Sequence, residues 1–204
     1  MMLPFRLLVI ADRGVCATDD EFLARVTRVG AVPDLWLQLR IKTLPLDHRL
    51  LLIAAAAESL GDARARTLVN GTLAEARDLA CAGAHYPETA LPPELPDRPG
   101  LLAGTSVHST ATWKAARRAS VDYMIAGSVF SPSSKAGRGR GLDWLAKIAR
   151  GGTTPVLAIG GITPEQVPRC LAAGAVGVAV LGGIFLSDDP GVAAAAYQRA
   201  LLPA

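Results

Sequence analysis

Cysteine, histidine and aromatic side chains are scarce in this chain of 204 residues. It contains three cysteines, three histidines and 5% aromatic residues. Cys16, Cys81 and Cys170 are widely spaced, with no Cys-x-x-Cys pair and no histidine at the spacing of metal ligands. This pattern predicts neither a disulfide framework nor a zinc site, and we expect the three cysteines to be packing residues.

The sequence also lacks a strong excess of one charge and any long apolar run. Lysine and arginine number 21 against 18 acidic residues, and no basic stripe is interleaved with aromatics, so we expect no nucleic acid partner. No window reaches the roughly 20 consecutive apolar residues of a membrane span. The start lacks a charged region followed by a small-residue cleavage site. A cytoplasmic protein that does not bind membranes is expected.

The most informative feature lies in the last third of the chain. Two apolar runs, 155–161 and 173–183, each end in a Gly-Gly pair. Such runs suit strands buried on both faces of a parallel sheet, and glycine at a strand end lets backbone N–H groups approach an anion. Two of these loops in succession match the phosphate site after the last two strands of a (β/α)8 barrel. The predicted phosphate-binding residues are Gly160, Gly161, Gly182 and Gly183.

Short apolar runs alternate with Ala/Arg/Glu-rich stretches along the chain, which is typical of a βα sequence. The predicted strands lie near Leu7–Ala11, Leu35–Arg40, Arg66–Val69, Ala84–Tyr86, Leu101–Val107, Tyr123–Gly127, Val156–Ile159 and Gly177–Leu181. The predicted helices are Asp19–Val29, Leu46–Leu60, Leu73–Cys81, Thr110–Ala119, Leu142–Arg150, Pro164–Ala172 and Asp189–Leu201. We predict an α/β fold, a single (β/α)8 TIM barrel domain over residues 1–204. An open Rossmann-like sheet is the alternative, but the first βα turn lacks GxGxxG.

Chemistry in such a barrel takes place at the carboxyl ends of the strands, where several polar residues fall. Gln38, Arg40 and Lys42 alternate at the end of the second strand, so the two cations would bind an anion and Gln38 an amide-like ring edge. A simply solvated strand end fits the same pattern. His85 and His108 end the fourth and fifth strands. Imidazole titrates near neutral pH, which makes both catalytic candidates, although a structural histidine is the commoner case.

The longest loop, 128–141, is rich in hydroxyls, glycine and cations. We predict that it is a lid over a phosphorylated ligand, with Ser133, Ser134 and Lys135 donating hydrogen bonds. The alternative is a surface loop that no ligand touches. A loop of this length inside a compact domain is usually functional, which favours the lid.

The order of these motifs resembles the thiamin phosphate synthase and thiazole tautomerase (TenI) superfamily over nearly the whole chain. The motifs are Gln38-x-Arg-x-Lys42, Ser106-Val-His-Ser109, Asp122-Tyr123, Gly127-x-Val-Phe130, the Ser/Lys loop and the two Gly-Gly strand ends. The resemblance implies a TIM barrel whose glycine loops hold a thiazole phosphate or thiamin phosphate, assisted by Ser134 and Lys135. It also makes Asn70 and Ser106 substrate-binding candidates and allows a homodimer. Other phosphate-binding barrels share the Gly-Gly loops but do not explain the Gln38-x-Arg-x-Lys42 motif together with the Ser/Lys loop.

The synthase branch joins a pyrimidine pyrophosphate to thiazole phosphate and needs Mg2+ to neutralise the departing pyrophosphate. Its pattern has an Asn-Asp pair after the third strand and a further Asp after the fourth. This chain has Asn70-Gly71 at the first place, and Glu88 is the only acid near the second. The resemblance therefore implies Mg2+ only if the synthase alternative holds, and one carboxylate is a poor Mg2+ site.

The tautomerase branch moves a proton to form the aromatic ring of a thiazole carboxylate phosphate, which needs an acid/base group but no cofactor or metal. The residues Tyr86–Thr89 and Ser106–Ser109 resemble this branch, but its catalytic histidine is replaced by Ser128. His108, or else His85, is expected to take over this role. A metal-independent thiazole tautomerase is therefore our leading interpretation. A thiamin phosphate synthase and a catalytically silent regulatory protein that binds thiazole or thiamin phosphate are the alternatives.

Overall fold

Eight parallel strands close into a barrel in chain order in the computed structural model, which describes residues 3–42, 44–130 and 139–202. The strands are β1 Leu7–Asp12, β2 Trp36–Arg40, β3 Thr67–Val69, β4 Gly83–Tyr86, β5 Leu102–Val107, β6 Tyr123–Gly127, β7 Val156–Ile159 and β8 Gly177–Val180. Each strand pairs with the next, and β8 returns to β1. The predicted (β/α)8 barrel is confirmed. The roles predicted for Ser133, Ser134 and Lys135 lie outside the described residues.

Eight α-helices surround this barrel in the described ranges. They are α1 Asp19–Gly30, α2 Leu46–Ser59, α3 Leu73–Asp78, α4 Thr110–Arg118, α5 Gly141–Arg150, α6 Val167–Ala172, α7 Gly182–Phe185 and α8 Pro190–Ala200. The segment 87–100 contains five prolines, which leave little room for a helix, and forms turns and coil between β4 and β5. None of the helices in the described ranges has the length and apolar character that a membrane crossing requires.

Two helices differ from their predicted bounds for local backbone reasons. The helix predicted over Leu73–Cys81 ends at Asp78, because Ala80 adopts a left-handed conformation with φ 52° and turns the chain toward β4. The helix predicted over Pro164–Ala172 begins as a 3-10 turn, Pro164–Gln166, and continues as α6. Pro168 lies in the first turn of α6 and has no N–H to extend a regular α-helical ladder back to Pro164.

The buried side chains form an interior layer and an outer layer. Eight side chains fill the barrel interior: Phe5, Leu8, Ile10, Leu68, Tyr123, Ile125, Leu157 and Ala179. A larger cluster lies between the strands and the helices and includes the three cysteines, all buried and none in a disulfide. Successive strand residues alternate between these layers. The same alternation turns Asp12, Gln38 and Arg40 toward the barrel axis at its carboxyl end, which we call the mouth.

Candidate functional site

The ends of β1 and β2 place a carboxylate beside a guanidinium at the mouth. Asp12 and Arg40 are register partners, and Arg40 Nη1 donates to Asp12 Oδ2 in an ion pair. Asp12 is only 8% exposed, and its Oδ1 also accepts a hydrogen bond from Gly14 N at 3.0 Å. Asp12 therefore holds the Arg40 guanidinium on one side, while the Arg40 side chain as a whole remains 28% exposed.

Gln38 lies two residues before Arg40 on the same face of β2, so its side chain is deeper in the barrel. Its side chain is 2% exposed, and its Nε2 has no hydrogen-bond partner among the described residues. A buried amide donor without a partner is costly, so a ligand acceptor atom at this point would be stabilised. Lys42 follows at the exposed end of the strand. The strand thus presents the three residue types that the sequence pattern predicted.

Asn70 is buried where β3 ends and is hydrogen-bonded to both neighbouring strands. Its backbone N donates to Leu39 O at 2.8 Å, and its Nδ2 contacts His85 O at 3.4 Å. Arg49, in the first turns of α2, donates to Ile41 O and Asn70 O, both at 3.2 Å, and forms an ion pair with Glu75. This contact set fixes the backbone of Asn70 at the mouth.

His85 links β4 to β5 and β6 inside the barrel. Its Nδ1 lies 3.0 Å from the Tyr123 hydroxyl and its Nε2 lies 2.9 Å from Ser106 Oγ. The ring is 1% exposed. Burial, with further contributions from Lys42, Arg40 and His108, lowers the pKa of His85 to about 3. The imidazole is therefore neutral at physiological pH, which suits a positioning role better than acid catalysis.

His108 lies just beyond β5, at the exposed rim of the mouth. Its side chain is 47% exposed, and its Nδ1 lies 2.9 Å from Glu88 Oε2. A carboxylate bonded to one ring nitrogen fixes the orientation of the other nitrogen. The pair is thus a candidate acid/base group, as predicted for His108, and Glu88 is its partner rather than an open metal ligand.

The loop after β7 is shaped by glycines that face β6. Gly160 and Gly161 have φ values of 103° and 61°, a region that side chains with a Cβ rarely adopt. A Cβ on Gly160 would lie 2.5 Å from Ser128 Cβ. Ser128 therefore packs directly against this loop. A glycine is required here both by the backbone conformation and by the close approach of Ser128.

The second Gly-Gly pair begins the short helix α7. Tyr197, on α8, donates from its hydroxyl to Ile162 O at 2.9 Å, and a Cβ on Gly183 would collide with that hydroxyl. Tyr197 thereby ties the loop after β7 to the loop after β8. The two loops predicted to bind phosphate are neighbours at the mouth, because β7 and β8 are paired strands.

Comparison with known proteins agrees with this arrangement. The family model for thiamine monophosphate synthase matches residues 7–184. This chain belongs to the thiamine monophosphate synthase family. The putative thiamine-phosphate synthase of Geobacter sulfurreducens is 36% identical over 98% of this chain and 95% of its own length. The predicted superfamily is therefore confirmed, and a role in thiamine biosynthesis is supported.

Two further similar proteins extend the comparison. The bifunctional ThiM/ThiE protein of Symbiobacterium thermophilum is 33% identical over 88% of this chain, which spans only 38% of that protein's length. The structure of a thiamine phosphate pyrophosphorylase from Pyrococcus furiosus superposes with a TM-score of 0.70 at 25% identity, covering 96% of this chain and 95% of the other. These names correspond to the synthase alternative more closely than to the tautomerase interpretation.

The Mg2+ that the synthase branch of this family implies does not fit the side chains at the mouth. The carboxylates there, Asp12, Glu75 and Glu88, are each paired with a cationic or ring nitrogen partner. At position 71, a Cβ would collide with Glu75 Oε2 and lie 2.9 Å from Arg49 Nη2, so the ion pair fills the space of a side chain. In the part of the chain that the structure describes, no cluster of three His, Cys, Asp or Glu residues could hold a metal ion.

The structure brings the predicted site residues of this family member to one mouth, where they form two groups on opposite sides. Gln38, Arg40, Lys42, Asn70, Ser106 and His85 gather on the β2–β5 side, whereas Ser128 and the four glycines lie on the β6–β8 side. The catalytic and binding roles assigned to them remain predictions. The sequence motifs included Tyr123 without a role, and sequence reasoning missed Asp12 and Tyr197. Asp12 could have been found, because it is the acidic residue that ends the first apolar strand run.

Proposed function

We propose that this protein is a thiamine-phosphate synthase, which joins a pyrimidine methyl pyrophosphate to a thiazole phosphate. In this reaction the carbon–oxygen bond to pyrophosphate breaks with its electron pair, and the thiazole nitrogen supplies the pair for the new carbon–nitrogen bond. The products are thiamine phosphate and pyrophosphate. Relatives named as thiamine-phosphate synthases over nearly their full length support this proposal.

The observation that carries the proposal is that two groups of residues predicted to bind anions lie at separate places on one mouth. Arg40 and Lys42 extend from β2, and the Gly-Gly loops follow β7 and β8. Because β8 and β2 both pair with β1, these two strands lie two strand spacings apart around the barrel, about 10 Å at about 4.8 Å a spacing, and β7 lies one spacing further from β2. This arrangement suits two phosphorylated substrates, with the pyrophosphate at the cations and the thiazole phosphate at the glycines.

Each side chain in the first group has a distinct task in this proposal. Arg40 and Lys42 neutralise the charge that develops on the departing pyrophosphate, a task for which preorganised cations are effective. The unpartnered Nε2 of Gln38 binds an acceptor atom of the pyrimidine. Because the carboxylates at the mouth are already paired, we assign charge neutralisation to these cations and to no metal ion held by the protein.

A metal-independent thiazole tautomerase is the second candidate, favoured by the His108–Glu88 pair. That pair supplies an accessible imidazole oriented by a carboxylate, at 2.9 Å. A hydroxyl at Ser128 cannot act as a base without an activating partner. If the chain is a tautomerase, His108→Ala should reduce its turnover at least a hundredfold, since general acid/base groups contribute about 10²–10⁴.

A paired assay on the purified protein tests these proposals. One arm supplies both synthase substrates and measures thiamine phosphate, with Mg2+ and with EDTA; the other supplies thiazole carboxylate phosphate and measures tautomerisation. We expect product in the first arm, and turnover that survives EDTA. Product that disappears with EDTA supports the synthase and contradicts the assignment of charge neutralisation to the cations alone. Turnover only in the second arm identifies the tautomerase, and binding of thiamine phosphate without turnover identifies a silent binder.

A further inference from the structure

We propose that His85, oriented by Tyr123, is a positioning residue that makes the Ser106 hydroxyl a dedicated hydrogen-bond donor to an anionic oxygen of the ligand. The three side chains come from adjacent strands, β4, β5 and β6, and all point into the barrel. The inference rests on the proposed function only for the identity of the anion, which is the pyrophosphate group. The arrangement of the three side chains does not depend on it.

The direction of the two hydrogen bonds follows from the hydrogen inventory. A neutral imidazole has one N–H and one lone pair. The hydroxyl of Tyr123 is fully buried, and its only hydrogen-bond partner among the described residues is His85 Nδ1. If Nδ1 carried the proton, the buried phenol proton would have no acceptor in the described part of the chain. Tyr123 therefore donates to Nδ1, and the proton of His85 lies on Nε2.

The consequence for Ser106 is that its oxygen already accepts a hydrogen bond. Nε2–H of His85 donates to Ser106 Oγ at 2.9 Å, so the hydroxyl proton of Ser106 points elsewhere. The Ser106 side chain is partly exposed, and no other partner for its hydroxyl exists in the described ranges. With one lone pair used by His85, the Ser106 hydroxyl keeps its proton and a second lone pair, and the proton is available to an acceptor atom of a ligand.

The charges around His85 indicate which acceptor is preferred. Lys42, Arg40 and His108 all act electrostatically on the His85 ring, so cationic side chains lie near the ring that contacts Ser106. The carboxylates at the mouth among the described residues are all paired, Asp12 with Arg40, Glu75 with Arg49 and Glu88 with His108. An anionic oxygen is therefore favoured over a neutral carbonyl at this position.

The position of the proton on His85 can be measured in the unaltered protein. The chain has three histidines, His48, His85 and His108, so the side-chain 15N resonances can be assigned with His48→Gln and His108→Gln. We expect His85 to show a protonated Nε2 and an unprotonated Nδ1, with no titration between pH 5 and pH 8. A proton on Nδ1, or a titration in that range, would overturn the proposal without any reference to activity.

Binding of inorganic pyrophosphate to the folded protein tests the consequence for Ser106. By calorimetry, we expect Ser106→Ala to weaken it about tenfold, as for the loss of one hydrogen bond to a charged group. His85→Asn keeps an acceptor for Tyr123 but does not reach Ser106, so we expect the same loss of pyrophosphate affinity. His85→Gln places an amide near the Nε2 position and should lose less pyrophosphate affinity. Thiazole phosphate serves as the control ligand. Ser59→Ala, at the last residue of α2, serves as the control variant.

A double-mutant cycle separates this role from a purely structural one. In the Ser106→Ala background, His85→Asn should cause no further loss of pyrophosphate affinity, because the hydroxyl that it orients is absent. Additive losses, or equal losses for pyrophosphate and thiazole phosphate, would contradict the positioning role. If the synthase assay fails but the tautomer of His85 and the double-mutant cycle are as expected, the positioning role stands. Only the proposed reaction is then wrong.

Discussion

Arg40 has two tasks at the residue scale, since it compensates the buried Asp12 carboxylate and presents positive charge at the mouth. We predict that Arg40→Ala weakens pyrophosphate binding about 10- to 100-fold, because a charge-assisted contact is lost and Asp12 becomes an unpaired negative charge beside the ligand. Inhibition by pyrophosphate measures this loss. Arg118→Ala, an exposed arginine on α4, is the matched control. Similar affinities for Arg40→Ala and Arg118→Ala would remove Arg40 from the anion site.

Gly183 and Tyr197 form a second residue-scale pair, in which a small side chain is required by a large neighbour. We predict that Gly183→Ala raises the KM for thiazole phosphate about tenfold and lowers stability by about 1–3 kcal/mol, because the new methyl group collides with the Tyr197 hydroxyl. The double variant Gly183→Ala/Tyr197→Phe removes the colliding oxygen and should recover part of both losses. Steady-state kinetics and urea unfolding give the two quantities. No recovery in the double variant would show that the collision is not the cause.

The residues whose contacts sequence reasoning missed share a property. Tyr123 and Tyr197 look like ordinary core aromatics, and their hydroxyl groups contact His85 and Ile162, each more than 30 positions away in the chain. Such pairs depend on barrel closure and have no local signature. The glycines and the cations of β2 were predictable, because strand-end glycine and alternating charge are local patterns.

The Arg49–Glu75 pair shows how elements are joined at the mouth, since it connects α2, α3 and the ends of β2 and β3. Burial by itself would raise the pKa of Glu75, but hydrogen bonds from Arg49 and from the Thr72 backbone outweigh it and hold the pKa below 4.5. A carboxylate with a lowered folded-state pKa stabilises the protein fully above 4.5. The contribution is lost as the pH falls through the lowered value.

We therefore predict that Glu75→Gln lowers the free energy of unfolding by about 1–2 kcal/mol at pH 7 and that the difference shrinks toward zero as the pH falls below 4.5. Glutamine can still close the capping box with Thr72, so the variant removes the charge and little else. Urea unfolding at several pH values measures the difference, with exposed Glu58→Gln on α2 as the control. A difference that stays constant down to pH 3 would contradict the ion-pair explanation.

The strands were predictable to within about one residue, whereas three helices were not. Unbroken apolar runs bounded by polar or glycine residues define the strands, because both faces of each strand are buried. The helix α7 has four residues, too few for a periodic pattern, and its position depends on packing against α1, α8 and β1. The early end of α3 depends on the left-handed conformation of Ala80, which cannot be predicted from an alanine in the sequence.

At the scale of the whole molecule, closure of the barrel brings the start of the chain to its end. Arg6, just before β1, donates from Nε to Val176 O at 2.9 Å and from Nη1 to Leu201 O at 2.6 Å. Its backbone O accepts from Val178 N at 2.8 Å, and a Cβ on Gly177 would collide with that oxygen. One residue thus joins β1, β8 and the end of α8 at the face of the barrel opposite the mouth.

We predict that Arg6→Ala lowers the free energy of unfolding by about 1–2 kcal/mol, because two charge-assisted hydrogen bonds at a partly exposed site are lost. Since closure of the barrel is a property of all eight strands, the urea midpoint should fall while the slope of the transition stays unchanged. KM values should match the wild type, because residues at this face act on stability and not on chemistry. Arg199→Ala, exposed on α8, is the control. A separate early transition or faster hydrogen exchange confined to α8 would instead show that the contact only anchors the last helix, and that β1 and β8 hold the barrel closed without it.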